Sequence, residues 1–162
     1  MSVNIKTEKY LVNLRFCGEN HFAVWCTDDT GAVRDRFLTN KNKVVIFSTE
    51  KQCREYVAKR KLRLEEEPCA EYELDSYDGI FEACNRILDN WNILADFAVS
   101  VDESICGDRD DYDGLYDKVF FGCNLPAIRG DGEEYNPEFN KREKAMIMKV
   151  LKEGLEIIRR NI

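Results

Sequence analysis

The chain has 162 residues, 44% of them apolar and 11% aromatic, which is enough to bury a core without metal or disulfide staples and excludes global disorder. With 31 acidic and 24 basic residues the formal charge is −7, a field that repels phosphate backbones and disfavours general nucleic-acid binding while favouring a basic partner. Met1 to Lys9 is polar and the longest apolar runs are too short to span a bilayer, so the expectation is a cytoplasmic protein that does not engage membranes.

The first third reads as strands. Tyr10, Val12, Leu14 and Phe16 alternate with Leu11, Asn13 and Arg15, the period of a half-buried strand. Gly18-Glu19-Asn20 turns the chain, and Phe22, Val24 and Cys26 alternate with Ala23 and Trp25. After a second turn signal at Asp28-Asp29-Thr30-Gly31, the residues Val33, Asp35 and Phe37 suit a weaker strand at a sheet edge. Asn40-Lys41-Asn42 makes a third break, and the β-branched run Val44 to Phe47 predicts an inner strand. Short connections imply an antiparallel meander.

The period then changes. Thr49 as N-cap with Gln52 three residues on predicts a short helix, carrying Cys53, Tyr56 and Val57 and ending near Lys61. Leu62 to Leu74 has room for one further extended segment. Ile80, Cys84, Ile87, Leu88, Trp91, Leu94, Ala95 and Ala98 form one apolar stripe of a second helix. Leu115 to Phe121 is amphipathic, and Gly122 to Tyr135 is expected to be irregular. A last helix opens with Asn136 as N-cap and Pro137 at the first helical position, with Ile147, Met148, Leu151, Leu155, Ile158 and Ile162 on its apolar side. Strands first and helices after predict one α+β domain over residues 1–162, an antiparallel N-terminal sheet packed against C-terminal helices.

Patterns that would name an enzyme are missing. There is no G-x-S-x-G elbow, Walker A loop or G-x-G-x-x-G. His21 is the only histidine, and its pairing with Cys17 or Cys26 is the one nucleophile–base combination on offer. The seven cysteines, none in C-x-x-C spacing, read as reduced apolar residues and not as zinc ligands. The loop Asp108 to Gly114 fails the calcium frame, because Arg109 and Phe120 fall where ligands belong. No catalytic residue, metal or cofactor is expected.

Two acidic clusters remain. Glu65, Glu66, Glu67, Glu71, Glu73, Asp75 and Asp78 occur without a base and enclose Tyr72 and Tyr77. Asp102, Glu103, Asp108, Asp110, Asp111, Asp113 and Asp117 occur against Arg109 alone and enclose Tyr112 and Tyr116. Carboxylates steer a basic partner and tyrosines supply contact area at low entropic cost, so these residues are the candidate contact surface for a protein partner. The basic C-terminal segment from Lys141 complements its own helix dipole.

Residues 44–103, and above all Cys84-Asn85-Arg86-Ile87-Leu88-Asp89-Asn90-Trp91-Asn92-Ile93-Leu94-Ala95-Asp96-Phe97-Ala98, resemble small bacterial immunity proteins of polymorphic toxin systems, especially those of contact-dependent growth inhibition. That resemblance implies a stoichiometric inhibitor of a cognate toxin domain, a basic nuclease and an RNase ahead of a DNase, with no inherited catalytic residues; the sequence leaves the oligomeric state open, with a monomer favoured. The alternatives are a regulatory or scaffold module with an unrelated basic partner, or a small enzyme using carboxylates or a cysteine.

Overall fold

The computed structural model describes residues 7–28 and 30–162. Most of the polar segment Met1 to Lys9 therefore falls outside the described residues, as does Asp29 of the second turn. Among the described residues no helix is long and apolar enough to cross a membrane.

The fold is α+β. Strands β1 (Glu8–Arg15), β2 (Phe22–Thr27) and β3 (Arg36–Phe37) form the expected antiparallel meander, and the sheet order is β3-β2-β1-β6. The sheet as a whole is mixed, not antiparallel, because β6 (Ala70–Glu73) lies parallel to β1, pairing Val12 to Arg15 with Ala70 to Glu73. A parallel neighbour needs a crossover. Here it is supplied by α1 (Glu50–Lys59), which carries the chain across one face of the sheet to its far edge.

The β1–β2 hairpin turns at Cys17 and Gly18, both with positive φ (53° and 69°), the geometry that matches strand twist. Cysteine is unfavourable in that conformation. The Asp75 carboxylate offsets this by accepting from the Cys17 backbone N–H at 2.7 Å. Buried Asn13 braces the hairpin from within, donating to Asn20 and accepting from the His21 N–H at 3.0 Å.

The run Val44 to Phe47 is not an inner strand. Only Lys43–Val44 (β5) is strand, paired with β4 (Thr39–Asn40) in a separate ladder, while Phe47 and Phe22 exchange two backbone hydrogen bonds. The run divides its apolar side chains between two cores. Val44 and Ile46 join the main core, and Phe47 packs under α1.

Strand alternation creates three layers. Leu11 and Val24 point to α1, where they meet Cys53 and Val57. Val12, Leu14, Phe16, Ala23 and Phe37 point the other way, onto α2 (Cys84–Ser100) and α5 (Lys141–Arg160). Thr49 caps α1 as expected, accepting from the Gln52 N–H. Ile80 lies in a separate 3-10 turn, Ile80–Glu82, broken from α2 at Ala83. Helix α3 (Asp113–Gly122) follows two 3-10 turns, and one helical turn, α4 (Pro126–Arg129), interrupts the segment expected to be irregular.

The start of α5 corrects the sequence reading. Its N-cap is Asn140, not Asn136, since Asn140 and Glu143 satisfy each other's backbone N–H groups in a complete capping box. Pro137 therefore lies before the helix. Ile162 is exposed, and Val150, Gly154 and Ile157 complete the buried side instead.

All seven cysteines are free thiols; Cys53 and Cys106 are buried, Cys17 is exposed and the others are half-buried. Burial pushes the thiols of Cys53 and Cys69 up to about 11. Iodoacetamide at pH 8 should modify Cys17 well before the other six, with full labelling only in denaturant, as followed by intact mass.

At Gly154 a Cβ would stand 2.7 Å from the Cβ of Leu94 on α2, an atom that cannot rotate away. Alanine gains about 1 kcal/mol of helix propensity there, but overpacking costs about 1–3 kcal/mol. Gly154→Ala should therefore lower Tm, whereas Gly114→Ala, with nothing within 4 Å of the new methyl group, should hold or raise it.

Candidate functional site

Helix α2 is buried on most of its surface, with Asn85, Asp89 and Asn92 exposed along one side, so its buried polar residues Asn90, Asp96 and Ser100 need partners inside the protein. Asn90 donates to the Glu73 carbonyl of β6 at 3.1 Å. Ser100 accepts from the Phe37 N–H of β3 at 2.8 Å and donates to the Asp96 carbonyl. Between them, Asp96 accepts from the indole N–H of Trp25 on β2 at 2.9 Å. The helix is thus fastened to both edges of the main sheet and to an inner strand.

Above the Asp96–Trp25 contact lies a cleft of about 560 Å³. The carboxyl groups of Asp35, Asp89, Asp96, Asp108 and Asp113 line it, together with one base, Arg34. Its aromatic lining comes from Trp25, Tyr72, Trp91 and Tyr116. Arg34 sits 3.8 Å from Asp108, a long, solvent-exposed pairing. A second hollow of about 520 Å³ shares Trp25, Asp35 and Tyr72 with the first and extends the acidic surface to Glu8, Asp28 and Glu67.

Asp96 is only 9% exposed, and burial pushes its carboxyl up to about 7, against the opposing pull of the Trp25 hydrogen bond. Burial also raises the Asp89 carboxyl and the Tyr72 and Tyr116 phenols. Tyr116 donates to Asn92 at 2.8 Å and meets Trp91 edge-on, so its ring is held in place. Gly107 closes the cleft floor; a Cβ there would fall 2.7 Å from the Trp91 indole nitrogen.

The two sequence clusters are split by the fold. From the first, Tyr72 reaches the cleft and Glu67 the adjoining hollow. Glu65 and Glu66 precede them on the approach to β6, where the Glu65 N–H donates to the Lys9 carbonyl. Asp75 is occupied by the β1–β2 turn, Tyr77 packs on the core beneath Lys152, and the Asp78 carbonyl accepts from Arg86. From the second, Asp108, Asp113 and Tyr116 line the cleft.

Asp110, Asp111 and Asp117 are exposed outside the cleft lining, and Asp111 pairs with Arg109 at 3.3 Å. Tyr112 is 3% exposed and packs edge-on to Trp91, so a partner cannot reach its ring. Asp102 takes a positive φ after α2, and Glu103 is bound by Arg160 and Asn161 of the last helix turn.

Sequence reasoning missed Trp25, Asp35, Asp89 and Asp96. Asp89 and Asp96 fall seven apart on one helix, which places them on the same face, and that spacing was the available signal.

The histidine–cysteine pairing does not form. The Nδ1 of His21 is 2.9 Å from the Leu14 carbonyl, which can only accept, so that nitrogen carries the proton, and the ring stacks on Phe16 at 4.1 Å. Among the described residues no group of three His, Cys, Asp or Glu side chains could hold a metal ion.

Asp96 holds a proton in the fold at pH values where the unfolded chain has lost it. Its contribution to stability is full below about pH 4 and is lost as pH rises through about 7. Asp96→Asn keeps an acceptor for Trp25 and has no charge to bury. Its Tm relative to wild type should rise between pH 4 and pH 8, by at least about 3 °C, in paired thermal scans. A pH-independent difference would contradict this.

Comparison with known proteins finds no family model that matches the chain, no similar curated protein and no similar solved structure.

Proposed function

We propose that the protein is an immunity-type inhibitor that acts in the cytoplasm and binds one basic toxin domain, a nuclease and an RNase ahead of a DNase, in a 1:1 complex. The observation that carries this reading is the cleft: five carboxyl groups against one arginine, walled by tyrosine and tryptophan, on a chain of charge −7. Such a surface attracts a cationic partner from a distance and offers rigid aromatic anchors once contact is made. The resemblance of Cys84 to Ala98 to immunity proteins supports the same reading, and the cleft opens beside that segment.

The test is co-expression with the C-terminal domain of a toxin encoded immediately upstream of this gene. Restored growth and a 1:1 complex on gel filtration are expected; neither growth nor complex overturns the proposal. Changing Asp35, Asp89, Asp108 and Asp113 together to Asn should slow association by about tenfold or more and flatten its salt dependence, since steering acts chiefly on the on-rate. Changing Asp110, Asp111 and Asp117 instead removes steering charge but no residue of the cleft lining, so association should slow less and the dissociation rate should stay within about threefold.

A second reading is favoured by one observation. A buried carboxyl titrating near neutrality in a ligand-sized cleft is also the arrangement of a general acid–base. Turnover of a small substrate that Asp96→Asn abolishes, with no effect on growth rescue, would select that reading.

A further inference from the structure

We infer that the groove between α3 and α4 is a second docking site, which takes the apolar side of a basic amphipathic segment of the protein partner. This rests on the reading of the partner as a basic protein, and it adds a surface that shares no lining residue with the acidic cleft.

The exposed apolar side chains are not spread evenly. Among the described residues five large ones stand exposed, and four of them, Phe121, Leu125, Ile128 and Tyr135, line a single groove of about 450 Å³. Each of the four is 41–55% exposed. Single apolar residues are ordinary on a surface, but a contiguous group of them marks a place where another molecule sits.

The walls of the groove are pinned. Asn124 turns the chain out of α3 with a positive φ of 52°. Its side chain donates to the Tyr135 carbonyl at 2.8 Å and accepts from the Tyr135 N–H at 2.7 Å. These two bonds tie the segment that follows α4 back to the end of α3. Phe120 and Phe121 meet edge-on at 5.5 Å on the α3 side. Walls fixed in this way keep the apolar lining open and need little ordering when a partner arrives.

Charge decides the occupant. Lys118, in the lining, is neutralised by Glu143 at 3.0 Å. That leaves Arg129 and Glu133 in the lining, with Asp131 and Glu134 close by in the chain, all of them exposed. Three acids therefore stand around the apolar lining against one base. A second copy would set like charges against each other, on chains of charge −7, and the same field repels an anionic lipid surface. A basic segment gains on both counts, with its apolar side chains in the groove and its lysines or arginines at the rim.

The probe is the fluorescein-labelled peptide LKKLLKLLKKLLKL, titrated with the full chain and followed by fluorescence anisotropy at physiological salt. Saturable 1:1 binding is expected. Phe121→Ser and Ile128→Ser, each at an exposed side chain, should weaken it by about tenfold or more. Thermal scans certify the fold, and Ile128 on the single turn of α4 keeps the test valid should Phe121→Ser lower Tm. Changing Asp131, Glu133 and Glu134 together to their amides should weaken binding and flatten its salt dependence. Changing Asp35, Asp89, Asp108 and Asp113 of the cleft to Asn should leave the peptide dissociation rate within about threefold. A peptide with glutamate in place of lysine, and a basic peptide of the same composition without the apolar stripe, should each bind about tenfold more weakly or worse.

Undiminished binding by both serine variants, or equal binding of the stripeless peptide, overturns the inference. So does a dimer in sedimentation velocity that Ile128→Ser dissolves, because the groove then belongs to a second copy. Capture by phosphatidylcholine–phosphatidylglycerol vesicles that Ile128→Ser abolishes overturns it in favour of a membrane. These outcomes are separable from the toxin test. Growth rescue without peptide binding removes the groove and leaves the inhibitor reading standing, and peptide binding without rescue does the reverse.

Discussion

The structure depends on how α2 is fastened to the sheet. A helix buried on most of its surface gains most of its stabilisation from apolar burial, but apolar contact alone leaves its rotation and register loosely specified. Three polar side chains remove that freedom. Asn90 fixes one end to β6, Ser100 fixes the other to β3, and Asp96 fixes the middle to Trp25 of β2. The Phe37 N–H would otherwise be buried unpaired, and the Glu73 carbonyl and the Trp25 indole N–H pair in partly buried settings. A shift of α2 by one residue would therefore break all three bonds at once, at about 1–3 kcal/mol for the buried Phe37 N–H and less for the two partly buried pairs.

The same fastening creates the cleft. Trp25 is drawn toward α2 by Asp96. The chain leaving α2 then turns back through Cys106–Asp108 and Asp110–Tyr112, bringing Asp108, Asp113 and Tyr116 over the sheet beside Tyr72. Gly107 makes the return possible, because no side chain fits between its backbone and the Trp91 indole. The Asp96 carboxyl is thus at once a structural bond and the floor of the acidic surface. A group with both duties costs stability as it ionises, and that tension is common where proteins bind ligands.

The acidic clusters show how charge in sequence divides in space. Fourteen acids in two runs look equivalent when written in a line. In the fold, Asp75 supports a strained hairpin turn, Glu103 anchors the end of α5, and Tyr112 is core. Asp108, Asp113, Tyr72 and Tyr116 share a cleft with residues from neither run. Long-range attraction follows the total charge, but specific binding follows the few groups that converge.

What the sequence by itself determined is local. Alternation placed Val12, Leu14 and Phe16 on one face of β1 and Leu11 on the other; Thr49 capped α1; the stripe through Trp91 named the central helix. These follow from periods and caps that are satisfied within a few residues. Where two local signals competed, at Asn136-Pro137 and Asn140-x-x-Glu143, the capping box won because it satisfies two backbone donors instead of one. Only the tertiary structure decided that β6 joins β1 in parallel, that Val44 to Phe47 serves two cores, and that Trp25, Asp35, Asp89 and Asp96 meet the tyrosines in one cleft. Each of those is a pairing between residues far apart in the chain, fixed by which buried donor finds which acceptor, and no local period records it.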